Sequence, residues 1–213
     1  MKRSMLWLLP MLSAAVPVTG RELAGSAPDL TIYTQFANLP TALSVEYMKT
    51  ELNAIVAPLD LHLEWSSLDE TDGHQVKAEL LVVRFKGTCQ INVLPPGLSH
   101  AGALGWTHVS DGQILPFTDV DCDRIRNVME SPLTMAVPME RAKLLGRAMA
   151  RVLAHEIYHF LTNNTKHSSS GIAKPTYSAG ELAAQSLRFE AAELEAIRKH
   201  RLHPGGEPNF GSP

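Results

Sequence analysis

The stretch PMERAKLLGRAMARVLAHEIYHFLT, Pro138 to Thr162, decides the fold of this chain. Its Ala, Leu, Met, Arg and Glu residues favour a helix, and Glu140 lies in the first turn, where the helix dipole stabilises an anion. We therefore predict one long helix from Pro138 to about Thr162. The pentapeptide His155-Glu156-Ile157-Tyr158-His159 lies in its last turns.

The two histidines of this pentapeptide are spaced for metal binding. Residues four apart lie one turn apart on the same helix face, so His155 and His159 can reach one ion from a rigid backbone. Glu156 projects beside that face and can meet a water molecule at the metal without being a ligand. The pattern predicts a Zn²⁺ site with Glu156 as general base. The alternative is a solvated helix face that carries two unrelated histidines.

A catalytic zinc needs a third protein ligand and one position open to water. His167 is the preferred candidate, because Thr162-Asn163-Asn164 should end the helix and let the chain fold back. Asn tolerates the left-handed turn that this reversal requires. Glu181 is the alternative ligand, although it also suits the first turn of a following helix as an anion.

Outward from this helix, alternating and periodic segments predict the remaining elements. The predicted order is a strand from Leu30 to Phe36, a helix from Pro40 to about Val56, a strand from Leu59 to Trp65, a central strand from Ala78 to Phe85, and a hairpin of Leu104 to Val109 with Gln113 to Thr118. The first strand, helix and strand predict a parallel crossover. Pro116 places the second hairpin strand at an edge. A final helix runs from Ser178, at a capping box, to about His200.

The bulk composition predicts one exported domain. The 213 residues are 45% hydrophobic and 19% charged, which suits a single unit over residues 28–203, followed by a loose tail over residues 204–213. The net charge of −3 argues against a nucleic-acid partner. Lys2 and Arg3 precede an apolar run shorter than the ~20 residues of a membrane span. Residues 1–20 therefore read as a signal peptide, and an uncleaved anchor is the alternative.

Export brings further expectations. We place signal cleavage between Ala15 and Ala27 and the mature protein outside the cell or in the periplasm. Thiols tend to oxidise there, so Cys89 and Cys122 are expected to form a disulfide. The alternative is two unpaired buried thiols. We expect a monomer without a stable membrane span.

The motif resembles that of the metzincin superfamily of zinc peptidases. Its members have two histidines and a glutamate on a helix, a glycine turn, a third histidine and a later methionine-containing turn. In the matrixin branch serine follows the third histidine, as in His167-Ser168-Ser169-Ser170-Gly171-Ile172-Ala173. Gly171-Ile172 with Leu187-Arg188-Phe189 is also similar to small secreted metzincin-like proteins of bacteria. The likeness in layout covers most of residues 30–200.

The resemblance implies a fold and an activity. The fold is α+β, α/β-like in its upper part: a metzincin-like zincin with a twisted mixed sheet, an antiparallel edge strand, an active-site helix and a C-terminal helix. The activity is hydrolysis of peptide or protein substrates by water that Glu156 deprotonates. Tyr177 follows the turn where one metzincin branch has a tyrosine near the metal, and could stabilise developing charge. Simple packing at the base of the final helix is the alternative for Tyr177.

Two departures from the metzincin pattern leave a second function open. The gap from His159 to His167 is longer by two residues, and Ala173 stands where methionine is expected. The alternative to a peptidase is an inactive secreted zinc-binding or scaffold protein of the same fold. Trp106 and His108, on the predicted hairpin, are candidates for the border of a substrate cleft, although simple packing is the preferred interpretation for Trp106.

Overall fold

The computed structural model describes residues 30–71, 77, 79–92 and 102–202. The predicted signal peptide, its cleavage region and the tail over residues 204–213 lie outside the described residues. Within the described ranges, no helix combines the length and the hydrophobicity that crossing a membrane requires.

The described chain forms five strands and six helices. In chain order these are β1 (Leu30–Phe36), α1 (Ala42–Val56), β2 (Leu63–Ser67), β3 (Leu80–Lys86), β4 (Gly105–Ser110), β5 (Gln113–Asp121), α2 (Cys122–Val128), α3 (Glu130–Met135), α4 (Pro138–Thr162), α5 (Ala179–Ala183) and α6 (Ala191–Leu202). The helix α4 has the bounds that its sequence predicts.

The five strands form one mixed sheet in the order β2-β1-β3-β5-β4. β1 pairs in parallel with β2 and β3, and β3 pairs in parallel with β5, so the predicted crossover and the central position of β3 are confirmed. β4 is the antiparallel edge strand. These features confirm the predicted α+β fold with a mixed sheet.

The prediction that Pro116 marks an edge strand is wrong. Its strand, β5, lies between β3 and β4. β5 pairs with β3 only from Phe117 to Asp121, after the proline. Pro116 itself lies where the β4–β5 register shifts, between the pairs Val109–Ile114 and Thr107–Thr118. A proline is tolerated there because no regular ladder hydrogen bond is required of it.

Helix α4 packs against α1 and against the strands β4 and β5, and this packing places its last turns. Gly146 allows the close approach of the helices, because a Cβ there would collide with the carbonyl oxygen of Ser44 and lie 2.8 Å from Cβ of Tyr47. The face of α4 toward the core carries Leu145, Met149 and Leu153, all fully buried. The end of α4 is thereby held against the sheet beside β4.

Two further predictions need correction. The strand expected from Leu59 begins at Leu63, because Ala57–Leu59 form a short 3-10 turn and Asp60 adopts a left-handed conformation (φ 53°). The single helix expected from Ser178 to His200 is two helices, α5 and α6, separated by residues 184–190.

A buried arginine explains the break in the last helix. The guanidinium of Arg151 on α4 donates to the carbonyl oxygens of Glu181 (2.6 Å), Leu182 (3.1 Å) and Ala184 (2.8 Å). These carbonyls at the end of α5 are therefore satisfied from outside the helix. Glu51 of α1 accepts from the same guanidinium at 2.8 Å and balances its charge.

Cys89 and Cys122 form a disulfide that closes 33 residues, as the sequence predicts. It joins the segment after β3 to the first residue of α2. Both cysteines are fully buried, so the bridge belongs to the hydrophobic core.

Candidate metal centre

His155 and His159 face each other at the end of α4. Their Nε2 atoms lie 3.0 Å apart, and the residues are only 8% and 6% exposed. This separation is close to the roughly 3.3 Å between ligand atoms of a tetrahedral zinc with Zn–N bonds of about 2.0–2.1 Å.

The other ring nitrogens are held by backbone carbonyls. Nδ1 of His155 lies 3.0 Å from the carbonyl oxygen of Ile172, and Nδ1 of His159 lies 2.6 Å from that of Asn164. A carbonyl oxygen only accepts, so each Nδ1 carries the proton and each Nε2 presents a lone pair. Two lone pairs facing each other at this distance repel unless they share a cation. The two rings therefore fit a metal ion between them.

Burial keeps these rings neutral, as a ligand must be. Burial, with smaller contributions from the neighbouring His159 and His167, lowers the pKa of His155 to about 4, against the opposing effect of the Ile172 carbonyl. Burial also lowers the pKa of His159. Both imidazoles are thus unprotonated at Nε2 near neutral pH and available to a metal.

His167 completes the group. Its ring centroid lies 5.1 Å from that of His155 and 4.9 Å from that of His159. One ligand atom from each of the three histidines lies within 4.8 Å of the other two. The three histidines can therefore hold a metal ion. Unlike the other two, His167 is exposed, so this side of the site is open.

The predicted helix end delivers His167 to the site. Asn163 adopts the left-handed conformation (φ 44°, ψ 45°) as the residue that ends α4. Its backbone N–H and that of Asn164 return to the last carbonyls of the helix, those of Phe160 and His159. The chain reverses at this point and passes back across the face that carries the two ligands.

Glu181, the alternative third ligand, is engaged elsewhere. It closes the capping box of α5 with Ser178, as its position in the sequence predicts. Its carboxylate also forms an ion pair with Lys174. The described acidic and histidine residues that converge as a metal-binding group are His155, His159 and His167, and Glu181 is not among them.

Glu156 lies beside the ligands, buried to 4% exposure. Its Oε2 accepts a hydrogen bond of 2.8 Å from the hydroxyl of Thr107 on β4. Burial raises the pKa of Glu156 to about 7, and the hydrogen bonds from Thr107 oppose this rise. A carboxyl group with a pKa near neutrality can both accept and release a proton.

The turn after His167 is anchored by a residue that sequence reasoning missed, Glu193 of α6. Its carboxylate accepts from the backbone N–H groups of Ala173 (2.7 Å) and Ile172 (3.3 Å) and from the hydroxyl of Ser168. Gly171 adopts φ 77° and packs so close to this carboxylate that a Cβ would collide with it. Glu193 thus fixes the turn whose Ile172 carbonyl orients His155.

Ala173, at the methionine position of the metzincin pattern, is fully buried in this turn. Its backbone, rather than a long side chain, makes the turn's contact with α6. A sequence signal for the anchor exists: Glu190 precedes α6 and Glu193 is its third residue, so Glu193 bonds the Glu190 N–H as in a capping box. That pattern indicates a helix start, but not the contact with the turn.

Tyr177 lies beside His155, with ring centroids 6.0 Å apart, and lines the same cavity as the three histidines. Its hydroxyl donates to the same Ile172 carbonyl and lies 3.5 Å from Nδ1 of His155. Burial raises the pKa of the phenol, and so do the charges of Glu193 and Glu156. In this arrangement Tyr177 supports the orientation of His155. A role of Tyr177 in stabilising developing charge stays a prediction.

A cavity of about 370 Å³ opens onto the three histidines and Glu156. Its walls are largely apolar and include Leu104, Trp106, Val109, Ile114, Val128 and Val152. Trp106 therefore borders the cleft, a position for which the sequence made it a candidate. His108 does not line the cavity; its Nε2 lies 2.7 Å from the buried carboxylate of Asp119.

The mixed five-stranded sheet, the helix with its histidine pair and the turn after His167 form an α+β fold. The fold is similar to that of archaemetzincin from Methanopyrus kandleri, with a TM-score of 0.51 and 11% sequence identity. The match covers 84% of this chain and 98% of archaemetzincin. No protein-family model and no curated protein sequence matches the chain.

Proposed function

We propose that this protein is a secreted zinc-dependent peptidase that hydrolyses peptide bonds. The observation that carries the proposal is the convergence of three histidines and the buried Glu156 at one end of an apolar cleft. The likeness to archaemetzincin supports the fold on which this site is built. Export and a monomeric state rest on the sequence alone.

His155, His159 and His167 would hold the ion and leave a coordination position open toward the cleft. When bound, Zn²⁺ would act as a Lewis acid and lower the pKa of a coordinated water molecule toward ~7. Glu156 accepts the proton of the attacking water at its carboxylate and passes it to the leaving amine. The apolar cleft walls bind the substrate and exclude bulk water from this transfer.

The test measures metal content and peptide cleavage in the same preparations. Zinc-loaded wild-type protein is incubated with a mixed peptide library, and the products are identified by mass spectrometry. We expect Glu156→Gln to retain stoichiometric zinc and lose cleavage, and His155→Ala or His159→Ala to lose both. Glu140→Gln is the matched control and should retain both, because Glu140 is a half-buried glutamate in the first turn of the same helix that forms an ion pair with Lys143. Full activity in Glu156→Gln would contradict the proposal.

The same assay separates the peptidase from an inactive zinc-binding or scaffold protein. A zinc-loaded wild type that cleaves no peptide at any pH would favour the scaffold. N-terminal sequencing of exported protein tests cleavage between Ala15 and Ala27.

A further inference from the structure

We propose that Thr107 on the edge strand is a positioning residue for the general base Glu156, an inference that rests on the proposed function. The strand β4 runs beside the end of α4 and turns Thr107 toward the carboxylate. The two residues are 49 positions apart in the chain, so the sheet and α4 must both be folded for them to meet.

The hydroxyl proton of Thr107 is committed to Glu156. A hydroxyl has one proton to donate, and the nearest acceptor is Oε2 of Glu156 at 2.8 Å. The backbone carbonyl of Glu156 at 3.4 Å and Oγ1 of Thr118 at 3.5 Å are more distant. Thr118 uses its own hydroxyl to donate to the Trp106 carbonyl at 3.0 Å. The geometry thus favours donation from the Thr107 hydroxyl to Oε2 of Glu156.

The other oxygen of Glu156 lies against the same strand. A Cβ at Gly105 would lie 2.9 Å from Oε1 of Glu156 and 2.9 Å from Cγ1 of Val152. Such contacts are closer than real Cβ atoms show, so only glycine at this position leaves Oε1 where it is. Among the described residues, Thr107 supplies the side-chain hydrogen bond to this carboxylate. Oε2 is therefore held and Oε1 remains for proton transfer.

This arrangement predicts an effect on the chemical step. The oxygen of a general base must lie within about 2.6–3.2 Å of the atom that carries the proton, and a carboxylate free to rotate spends less time in that position. Thr107 lines the cleft but is not one of the three histidines that can hold the ion, and Thr107→Val keeps the side-chain shape without the hydroxyl. Its loss should therefore lower kcat while KM and zinc content stay near the wild-type values.

The test compares Thr107→Val, which keeps the side-chain shape without the hydroxyl, with Thr107→Ser, which keeps the hydroxyl. We expect kcat to fall by roughly 10–100-fold in Thr107→Val and to recover in Thr107→Ser. The matched control is Thr31→Val. Thr31 is another buried strand threonine whose hydroxyl donates to a glutamate, Glu64 at 3.2 Å, away from the cleft. The control should retain wild-type kcat.

Unchanged kcat in Thr107→Val would overturn the inference, and so would a Thr107→Ser variant as slow as Thr107→Val. A fall in zinc content that parallels kcat would also overturn it, because the role would then be structural.

A second measurement is independent of catalysis. The melting temperature of metal-free protein is determined for Thr107→Val, Glu156→Met and the double variant. If the hydroxyl binds the carboxylate, Thr107→Val lowers the melting temperature less in the Glu156→Met background than in the wild type. Equal shifts in both backgrounds would refute the contact. A wild type without peptidase activity would refute the proposed function, while this cycle would still decide whether Thr107 holds Glu156.

Discussion

Replacing Glu193 by Gln tests how the last helix supports the metal centre. Glu193 is 1% exposed and its carboxylate accepts four hydrogen bonds. Oε1 accepts from the hydroxyl of Ser168 and the N–H of Ala173. Oε2 accepts from the N–H groups of Ile172 and Glu190. All four groups donate, so the site is built for an acceptor with two oxygens.

A glutamine cannot satisfy both pairs. One of its terminal groups is NH₂, which donates. Facing Ile172 and Glu190 it would leave two backbone N–H groups without an acceptor. Facing Ser168 and Ala173 it would leave one, the N–H of Ala173, because the Ser168 hydroxyl can turn to the carbonyl oxygen of Ser170 at 2.6 Å. A hydrogen bond to a charged group contributes about 1.5–3 kcal/mol. The loss of at least one such hydrogen bond predicts a decrease of about 1.5 kcal/mol or more in the free energy of unfolding.

Urea unfolding of the metal-free variant measures this decrease. Competition with a chelator measures zinc affinity, which should weaken by roughly 10–100-fold because the turn also orients His155. Glu190→Gln, an exposed carboxylate next to the same helix, is the control and should change neither quantity. A Glu193→Gln variant with wild-type stability and wild-type zinc affinity would refute the argument.

Three further predictions concern the scaffold. Burial opposes ionisation of Asp119, but hydrogen bonds from His108, Arg84 and Lys86 outweigh it and hold the pKa of Asp119 below its usual value. The stability that ionised Asp119 contributes is therefore fully present above the unfolded pKa of ~3.9 and is lost as the pH falls through the lower folded pKa. In urea unfolding, the difference in the free energy of unfolding between wild type and Asp119→Asn should shrink below about pH 4. Gly146→Ala should lower the melting temperature, because overpacking against Ser44 and Tyr47 costs about 1–3 kcal/mol. This cost outweighs the ~1 kcal/mol by which alanine favours a helix over glycine. A higher melting temperature would show that α1 and α4 can separate freely. Replacing Cys89 and Cys122 by serine should lower the free energy of unfolding by ~3–4 kcal/mol for a 33-residue closure, and a reductant should destabilise the wild type but not the variant.

Local signals predicted the parts of the fold that depend on neighbouring residues in the chain. The helix α4 has strong propensity, a proline at its start and Asn163 in the left-handed conformation at its end, so both bounds could be predicted. The helices α2 and α3 were missed because seven and six residues are too few to show a helical period. The break between α5 and α6 was missed because its cause, Arg151, lies on another helix.

The same distinction holds for the site. His155, Glu156 and His159 share one helix, so their common face follows from spacing alone. Thr107 and Glu193 reach the site from a strand and a later helix, and no spacing rule brings them to it. The backbone carbonyls of Ile172 and Asn164, which orient the two buried rings, have no side-chain signature at all.

The two departures from the metzincin pattern coincide with contacts that hold the buried histidines and the following turn in place. The longer connection after His159 contains Asn163, whose side-chain carbonyl accepts from the N–H of Ile114 at 3.2 Å and ties the helix end to β5. It also contains Asn164, whose carbonyl orients His159. At the methionine position, the backbone of Ala173 is held by Glu193 instead of by a buried side chain. His155 and His159 are thus oriented by backbone carbonyls that do not require the missing glycine or methionine. If Glu193→Gln loses zinc affinity as predicted, the alanine does not by itself imply an inactive protein.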